Sequence, residues 1–141
     1  MKILFVCTGN TCRSPMAQAM AAKLLGEGYE VISAGVMAVA DCEASYNAVM
    51  AMSERQIDLT GHRSQLITTK LLNEANLILT MTTSHKKAIL PDAPDKTYTL
   101  GEYAGHKVSV SDPFGGTLED YKACAEEIYG LLLSLCDKLI K

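Results

Sequence analysis

The sequence predicts an α/β fold: one open four-stranded parallel sheet with helices on both faces. Three observations lead there. The runs KILFV at 2–6 and NLILT at 76–80 are continuously apolar, as in strands buried on both faces. Segments with helical spacing of apolar residues alternate with these runs, which is the pattern of a parallel sheet covered by its own crossovers. No repeat, low-complexity tract or linker divides the 141 residues, a length that suits one domain, 1–141, with its own core.

The elements follow in order. KILFV is the first strand, and it runs into the polar loop CTGNTCRS. Ser14-Pro15 reads as an N-cap with proline at the first helical position. Met16, Met20 and Leu24 then repeat at helical spacing until Gly26 and Gly28 stop the helix. YEVIS at 29–33 is the second strand, and 45–55 a helix with Ala48, Val49 and Met52 on one face. A short helix over 68–74 leads to NLILT as the third strand. A helix over about 83–90 is closed by Pro91, and KTYTL at 96–100 is the fourth strand. Thr117 with Asp120 resembles a capping box. From there Leu118, Tyr121, Ala125, Ile128, Leu132, Leu135 and Leu139 keep one apolar stripe.

Composition narrows the function classes. Apolar residues make up 48% and charged ones 21%, ordinary for a globular protein. A net charge of -3 speaks against nucleic acid as a partner, which calls for a basic patch. No apolar run approaches a membrane span, and the N-terminus lacks the layout of a signal peptide, so a cytoplasmic location is expected. Five scattered cysteines, Cys7, Cys12, Cys42, Cys124 and Cys136, do not suggest a disulfide framework. Cys124 and Cys136 fall in the last helical pattern and read as small core hydrophobes.

In open parallel sheets ligands bind beyond the carboxyl ends of the strands, where strand order reverses. The loop after the first strand is such a place. Its residues Thr8, Gly9, Asn10, Thr11, Cys12, Arg13 and Ser14 stand between a strand and a helix N-terminus, where unpaired backbone N–H groups and the helix dipole favour an anion. Gly9 permits a positive φ and close approach of the main chain to that anion. The Arg13 fork matches phosphate oxygens. The same field stabilises a Cys7 thiolate, to which Ser14 can donate a hydrogen bond. One device thus binds a phosphate dianion and activates a sulfur nucleophile beneath it, the requirements of covalent phosphoryl transfer. The competing reading is an incidental turn, since C-x5-R alone arises by chance. Zinc is a poor rival, because Cys7 and Cys12 lack a second ligand pair at a familiar spacing. No metal and no cofactor is implied. A leaving group also needs a proton. Asp112 in VSDPFGG is the candidate, being a loop carboxyl fixed by Pro113 before the last helix. A loop Asp before Pro is also a common turn former.

VCTGNTCRSPMA, SAG at 33–35, GHRSQ at 61–65 and DPFGG at 112–116 together resemble the low-molecular-weight protein tyrosine phosphatases. The resemblance runs over the whole chain. It implies Cys7 as nucleophile, Arg13 as phosphate clamp, Asp112 as general acid, and a phosphocysteine intermediate hydrolysed by water. It further implies that Ser14 stabilises the thiolate, that Asn10 and His62 brace the loop, that the partners are phosphorylated proteins, and that the chain is a monomer. Two positions depart from the tyrosine-specific pattern. Thr11 stands where an aliphatic residue is usual, and Phe114 is followed by Gly115 and Gly116 where an aromatic pair is usual. Both departures look like the protein-arginine phosphatase branch of the family. A threonine hydroxyl can accept a guanidinium N–H where isoleucine cannot, and a pocket that hydrogen-bonds its substrate discriminates strongly. Thr11 and Phe114 are therefore the expected specificity residues. A tyrosine phosphatase with an unusual rim is the alternative.

Cys12 adds an expectation of redox control: an exposed, activated Cys7 thiolate is oxidisable, and a neighbouring thiol can trap the sulfenic acid as a disulfide. Cys12 merely packing under the loop is the competing reading. Among other classes, an arsenate reductase needs a cysteine relay, and residues 43–123 contain none. A sugar phosphotransferase carrier would not need the Arg13–Asp112 pair, and a phosphate-binding module would not need Cys7.

Overall fold

A computed structural model describes residues 1–140. Its sheet has four parallel strands in the order β2-β1-β3-β4, with β1 Lys2–Cys7, β2 Glu30–Gly35, β3 Leu77–Thr80 and β4 Thr97–Thr99. Between them run α1 Arg13–Leu25, α2 Tyr46–Ser53, α3 Thr69–Glu74 and α4 Thr83–Ile89, followed by α5 Leu100–Tyr103 and the long α6 Leu118–Ile140. The predicted fold class is the observed one.

Period-two alternation divides the central strand between two cores. Ile3 and Phe5 of β1, with Leu77 and Leu79 of β3, pack with Met16 and Met20 of α1, Met52 of α2 and Ile128 and Leu132 of α6. Leu4, Val6 and Ile78 point the other way, onto Leu72 of α3 and Ile89 of α4. Both faces are thus covered, which is why β1 is apolar at every position from Ile3 to Val6. The chain leaves β1 for β2 on one side and returns to β3 on the other. The loop after β1 therefore lies at the switch point where the sheet order reverses.

Several boundaries differ from the sequence expectation for local reasons. Helix α1 begins at Arg13 with Cys12 at its N-cap and no side-chain cap; Ser14 lies inside the first turn, where its hydroxyl is free for other partners. The fourth strand stops at Thr99, because Thr99 and Glu102 close a capping box that starts α5 at Leu100. The expected box at Thr117 and Asp120 is formed in both directions, at 2.9 and 3.2 Å. Gly26 and Gly28 take φ of 70° and 95° where α1 ends. All five cysteines are free, Cys124 buried and Cys136 half-buried. Among the described residues no helix is long and apolar enough to cross a membrane.

Candidate active site

The loop after β1 is held from behind, through its carbonyls. The main-chain N–H groups of Val36, Met37 and Ser45 donate to the carbonyl oxygens of Cys7, Thr8 and Thr11, each at 2.9 Å. His62 Nε2 meets the Asn10 carbonyl oxygen at 2.8 Å, and Met16 N–H donates to Cys12 O at 3.3 Å. Every carbonyl so engaged points outward, which turns the amides of the loop inward to a common centre. Among the described residues those of Gly9, Asn10, Thr11 and Cys12 find no acceptor in the protein.

The positive φ expected at Gly9 lies instead at Asn10, with φ 57°. Asparagine tolerates this left-handed geometry, and its side chain then serves as the loop's brace. The glycine that the loop cannot do without is Gly35 at the end of β2: a Cβ there would stand 2.4 Å from the Thr8 carbonyl oxygen and 3.0 Å from Asn10 N.

Two main-chain groups fix the polarity of the network behind the loop. Gln65 N–H donates to Asn10 Oδ1 at 2.9 Å, so Asn10 Nδ2 must face Ser14 and Ser33, to which it donates at 2.8 and 2.9 Å. At the other end Gln18 Nε2 donates to Val31 O at 3.2 Å, leaving its Oε1 to accept from Ser33 at 2.6 Å. Ser14 Oγ lies 2.8 Å from Cys7 Sγ. Its oxygen already accepts from Asn10, and its proton is free for the sulfur.

Cys7, Thr8, Gly9, Thr11, Cys12 and Arg13 line one pocket of about 200 Å³ with Asp112 and Phe114. Asn10 and Ser14 are buried behind it. Cys7 is only 3% exposed, so it is not the open thiolate expected from sequence; a reagent reaches it through the pocket. Arg13 is buried, and its Nη1 donates to Val110 O at 3.1 Å while Nη2 stands 3.6 Å from Asp112 Oδ2. Asp112 is exposed, and its Oδ1 accepts the Phe114 N–H at 3.0 Å, the Asx turn foreseen for an Asp before Pro. Phe114 is 78% exposed at the rim.

Residues 2–141 match the family profile described as low molecular weight phosphotyrosine protein phosphatase. The chain belongs to that family. It is 44% identical to a protein-arginine-phosphatase of Geobacillus stearothermophilus, over 98% of this chain and 95% of that protein. It is 38% identical to the low molecular weight protein-tyrosine-phosphatase PtpB of Staphylococcus aureus, over 97% and 98%. Among solved structures, the YwlE arginine phosphatase from Geobacillus stearothermophilus superposes with a TM-score of 0.95 at 43% identity, covering 99% of this chain and 92% of that one. Another, with the same TM-score at 42% identity, is a cysteine-to-serine mutant of the YwlE arginine phosphatase with a phosphorylated active-site serine; it covers 100% of this chain and 97% of that one.

Some groups around this phosphatase's pocket carry no signal in the sequence. Tyr121 was legible only as part of an apolar stripe, yet its hydroxyl lies 3.3 Å from Cys12 Sγ, which also has Ser45 Oγ at 3.4 Å. Burial and the bond with Cys12 push the Tyr121 phenol up to about 12. His85, on α4, reaches Thr8 Oγ1 with Nε2 at 2.8 Å. His62, unlike these two, was expected from the resemblance as a brace of the loop; it is half-buried, and burial holds its imidazole below the ordinary value. Spacing in the chain cannot find such partners, because each comes from a different element.

Proposed function

We propose that this phosphatase hydrolyses phosphoarginine in proteins through a phosphocysteine intermediate. The observation that carries the reading is Thr11, whose hydroxyl-bearing side chain shares the pocket with Cys7, Arg13 and Asp112. It offers an acceptor to a guanidinium N–H beside the phosphoryl group. The protein-arginine-phosphatase relative, at 44% identity, supports the same substrate.

In the first step the Cys7 thiolate attacks phosphorus, the P–N bond breaks, and the Asp112 carboxyl gives its proton to the departing guanidine nitrogen. The inward amides and the Arg13 guanidinium hold the equatorial oxygens as their charge shifts. In the second, the Asp112 carboxylate takes a proton from water as its oxygen attacks phosphorus; the P–S bond breaks and the thiolate returns. Ser14 stabilises the thiolate at both ends of the cycle, and Asn10 and His62 keep the loop in shape. The site uses no cofactor. Phosphorylated proteins of the cytoplasm are the expected substrates, and the five free cysteines fit a reducing compartment.

Phosphotyrosine is the second reading, favoured by Phe114 at the pocket, an aromatic wall for a phenyl ring. The ratio of kcat/KM on a phosphoarginine and a phosphotyrosine peptide decides between them, with Cys7→Ser as the inactive control. A preference for phosphoarginine that Thr11→Ile reduces tenfold or more supports the arginine reading. Equal or better turnover of phosphotyrosine, untouched by Thr11→Ile, overturns it.

A further inference from the structure

His85 has no part in the steps above, yet it touches the loop that performs them. Its side chain is buried at the start of α4, with Nε2 2.8 Å from Thr8 Oγ1 and Nδ1 3.1 Å from Thr82 Oγ1. Thr82 is itself fixed. It caps α4 by accepting the His85 N–H at 3.3 Å, and its carbonyl accepts from the Thr80 hydroxyl at 2.9 Å, at the end of β3. Thr8 is the opposite case: an exposed side chain on the pocket wall, directly after the sulfur-bearing residue. Its carbonyl is gripped by Met37 N–H, so the ring supplies the second point of attachment. With two points held, the Thr8–Gly9 peptide cannot swing, and the Gly9 N–H stays aimed into the cradle.

We propose that His85 is a positioning residue of the phosphate loop, acting through the Thr8 hydroxyl from an anchor on Thr82. The proposal rests on the phosphatase reading of the site and adds a residue to it. Burial holds the imidazole down to about 4, and the charge of Arg13 acts in the same sense, against Asp112. The ring is therefore neutral at neutral pH, with one nitrogen a donor and the other an acceptor, one for each threonine hydroxyl. A protonated ring would have no acceptor left, and one of the two attachments would fail. Misplacement of a loop amide by a fraction of an ångström is enough to weaken phosphoryl binding measurably.

The test is a double-mutant cycle on the full chain, using His85→Leu, Thr8→Val and the pair, with His85→Gln as the conservative variant. Two readouts are taken: the competitive inhibition constant of inorganic phosphate, and kcat and KM on a phosphopeptide. The expectation is about a tenfold weakening of phosphate binding in each single variant, the loss of one hydrogen bond in the cradle. The pair should be no worse than either, and glutamine, which carries a donor where Nε2 stands, should recover most of the loss. Additive losses in the pair, or an unchanged phosphate constant in either single variant, would overturn the proposal. Should His85→Leu not fold, Thr8→Val decides alone: a tenfold loss supports the proposal and a native constant defeats it. Failure of the phosphatase reading looks different. The native protein would then turn over no phosphopeptide, while the phosphate constant, read as a shift in Tm with added phosphate, would still report on His85.

Discussion

Ser14 Oγ stands 2.8 Å from Cys7 Sγ and at the same distance from Asn10 Nδ2. The orientation of Asn10 is set by the Gln65 main-chain N–H, so its amide nitrogen can only donate to Ser14. The hydroxyl proton is then directed at sulfur, and the sulfur is the acceptor. An acceptor role suits a thiolate far better than a thiol, because hydrogen bonds to a charged acceptor are the stronger ones. A bond of that kind is worth about 1.5–3 kcal/mol. Ser14→Ala should therefore lower kcat/KM by roughly ten- to a hundredfold, by the same conversion. It should also slow alkylation of Cys7 by iodoacetate near pH 6. An alkylation rate equal to that of the native protein would mean that the hydroxyl does not serve the sulfur.

Asp112 touches Arg13 on one oxygen and its own loop on the other. Asp112→Asn keeps a group that can close the Asx turn and removes the transferable proton. The expected loss in kcat on phosphopeptides is about 10²–10⁴, the range of a missing general acid. With p-nitrophenyl phosphate, whose leaving group needs little protonation, stopped-flow mixing should still show a rapid burst of nitrophenolate followed by slow turnover. A variant that loses the burst as well would place Asp112 in binding rather than in proton transfer.

What the sequence discloses and what it hides divide along a physical line. Continuous apolar strands announce burial on both faces, and β1 is buried on both. The Cys7, Arg13 and Asp112 constellation is legible because strand, loop and helix N-terminus are consecutive, and because Asp-Pro marks its own turn. Hidden were the groups whose role depends on what folding brings opposite them. Ser14 was legible in part: its hydroxyl was expected to serve the Cys7 sulfur and does, whereas the N-cap role read from serine before proline is not taken up, and the bond from Asn10 emerges only on folding. Gly9 read as the residue with special backbone freedom, whereas Asn10 adopts φ 57° and Gly35, 26 residues after Gly9 in the sequence, supplies the close approach. His85 and Tyr121 reach the loop from α4 and α6, at separations of 77 and 109 residues. Thr99 and Glu102 are the exception, because a T-x-x-E box is local; the strand reading of KTYTL overran it.

The arrangement of Cys12 makes redox control testable. Its thiol lines the same pocket as Cys7 and is held by Tyr121 and Ser45. Peroxide would oxidise the Cys7 thiolate to a sulfenic acid with loss of hydroxide; attack by the Cys12 sulfur would then form the disulfide and release water. Native protein inactivated by peroxide should regain most of its activity with dithiothreitol, whereas Cys12→Ala should be left largely inactive as its sulfenic acid oxidises further. Equal recovery of the two would make Cys12 a packing residue only.

Acid should weaken this fold through its histidines before its carboxylates. His85 has a folded-state value of about 4 against an ordinary 6.5, with burial the main cause and Arg13 the second. Between those two values the unfolded chain binds the proton and the folded chain does not, so stability falls as pH drops from 6.5 toward 4. Above 6.5 both states are neutral and the group contributes no slope. At about 1.4 kcal/mol per pKa unit the full loss is on the order of 3 kcal/mol. His62, lowered by its own burial, acts with the same sign in the window just below 6.5. Asp58 and Glu102 are lowered by their hydrogen bonds to Thr60 and Lys86, and their stabilisation fades only below about 4.5, the ordinary value for Glu. Urea midpoints of the native protein and His85→Gln, compared from pH 7 to 4, separate these contributions, since the carboxylates are common to both. The native midpoint should fall more steeply between 6.5 and 4. Parallel curves would show that His85 is protonated in the folded state at an ordinary pH, and that the neutral ring bridging Thr82 and Thr8 is not the form the fold selects.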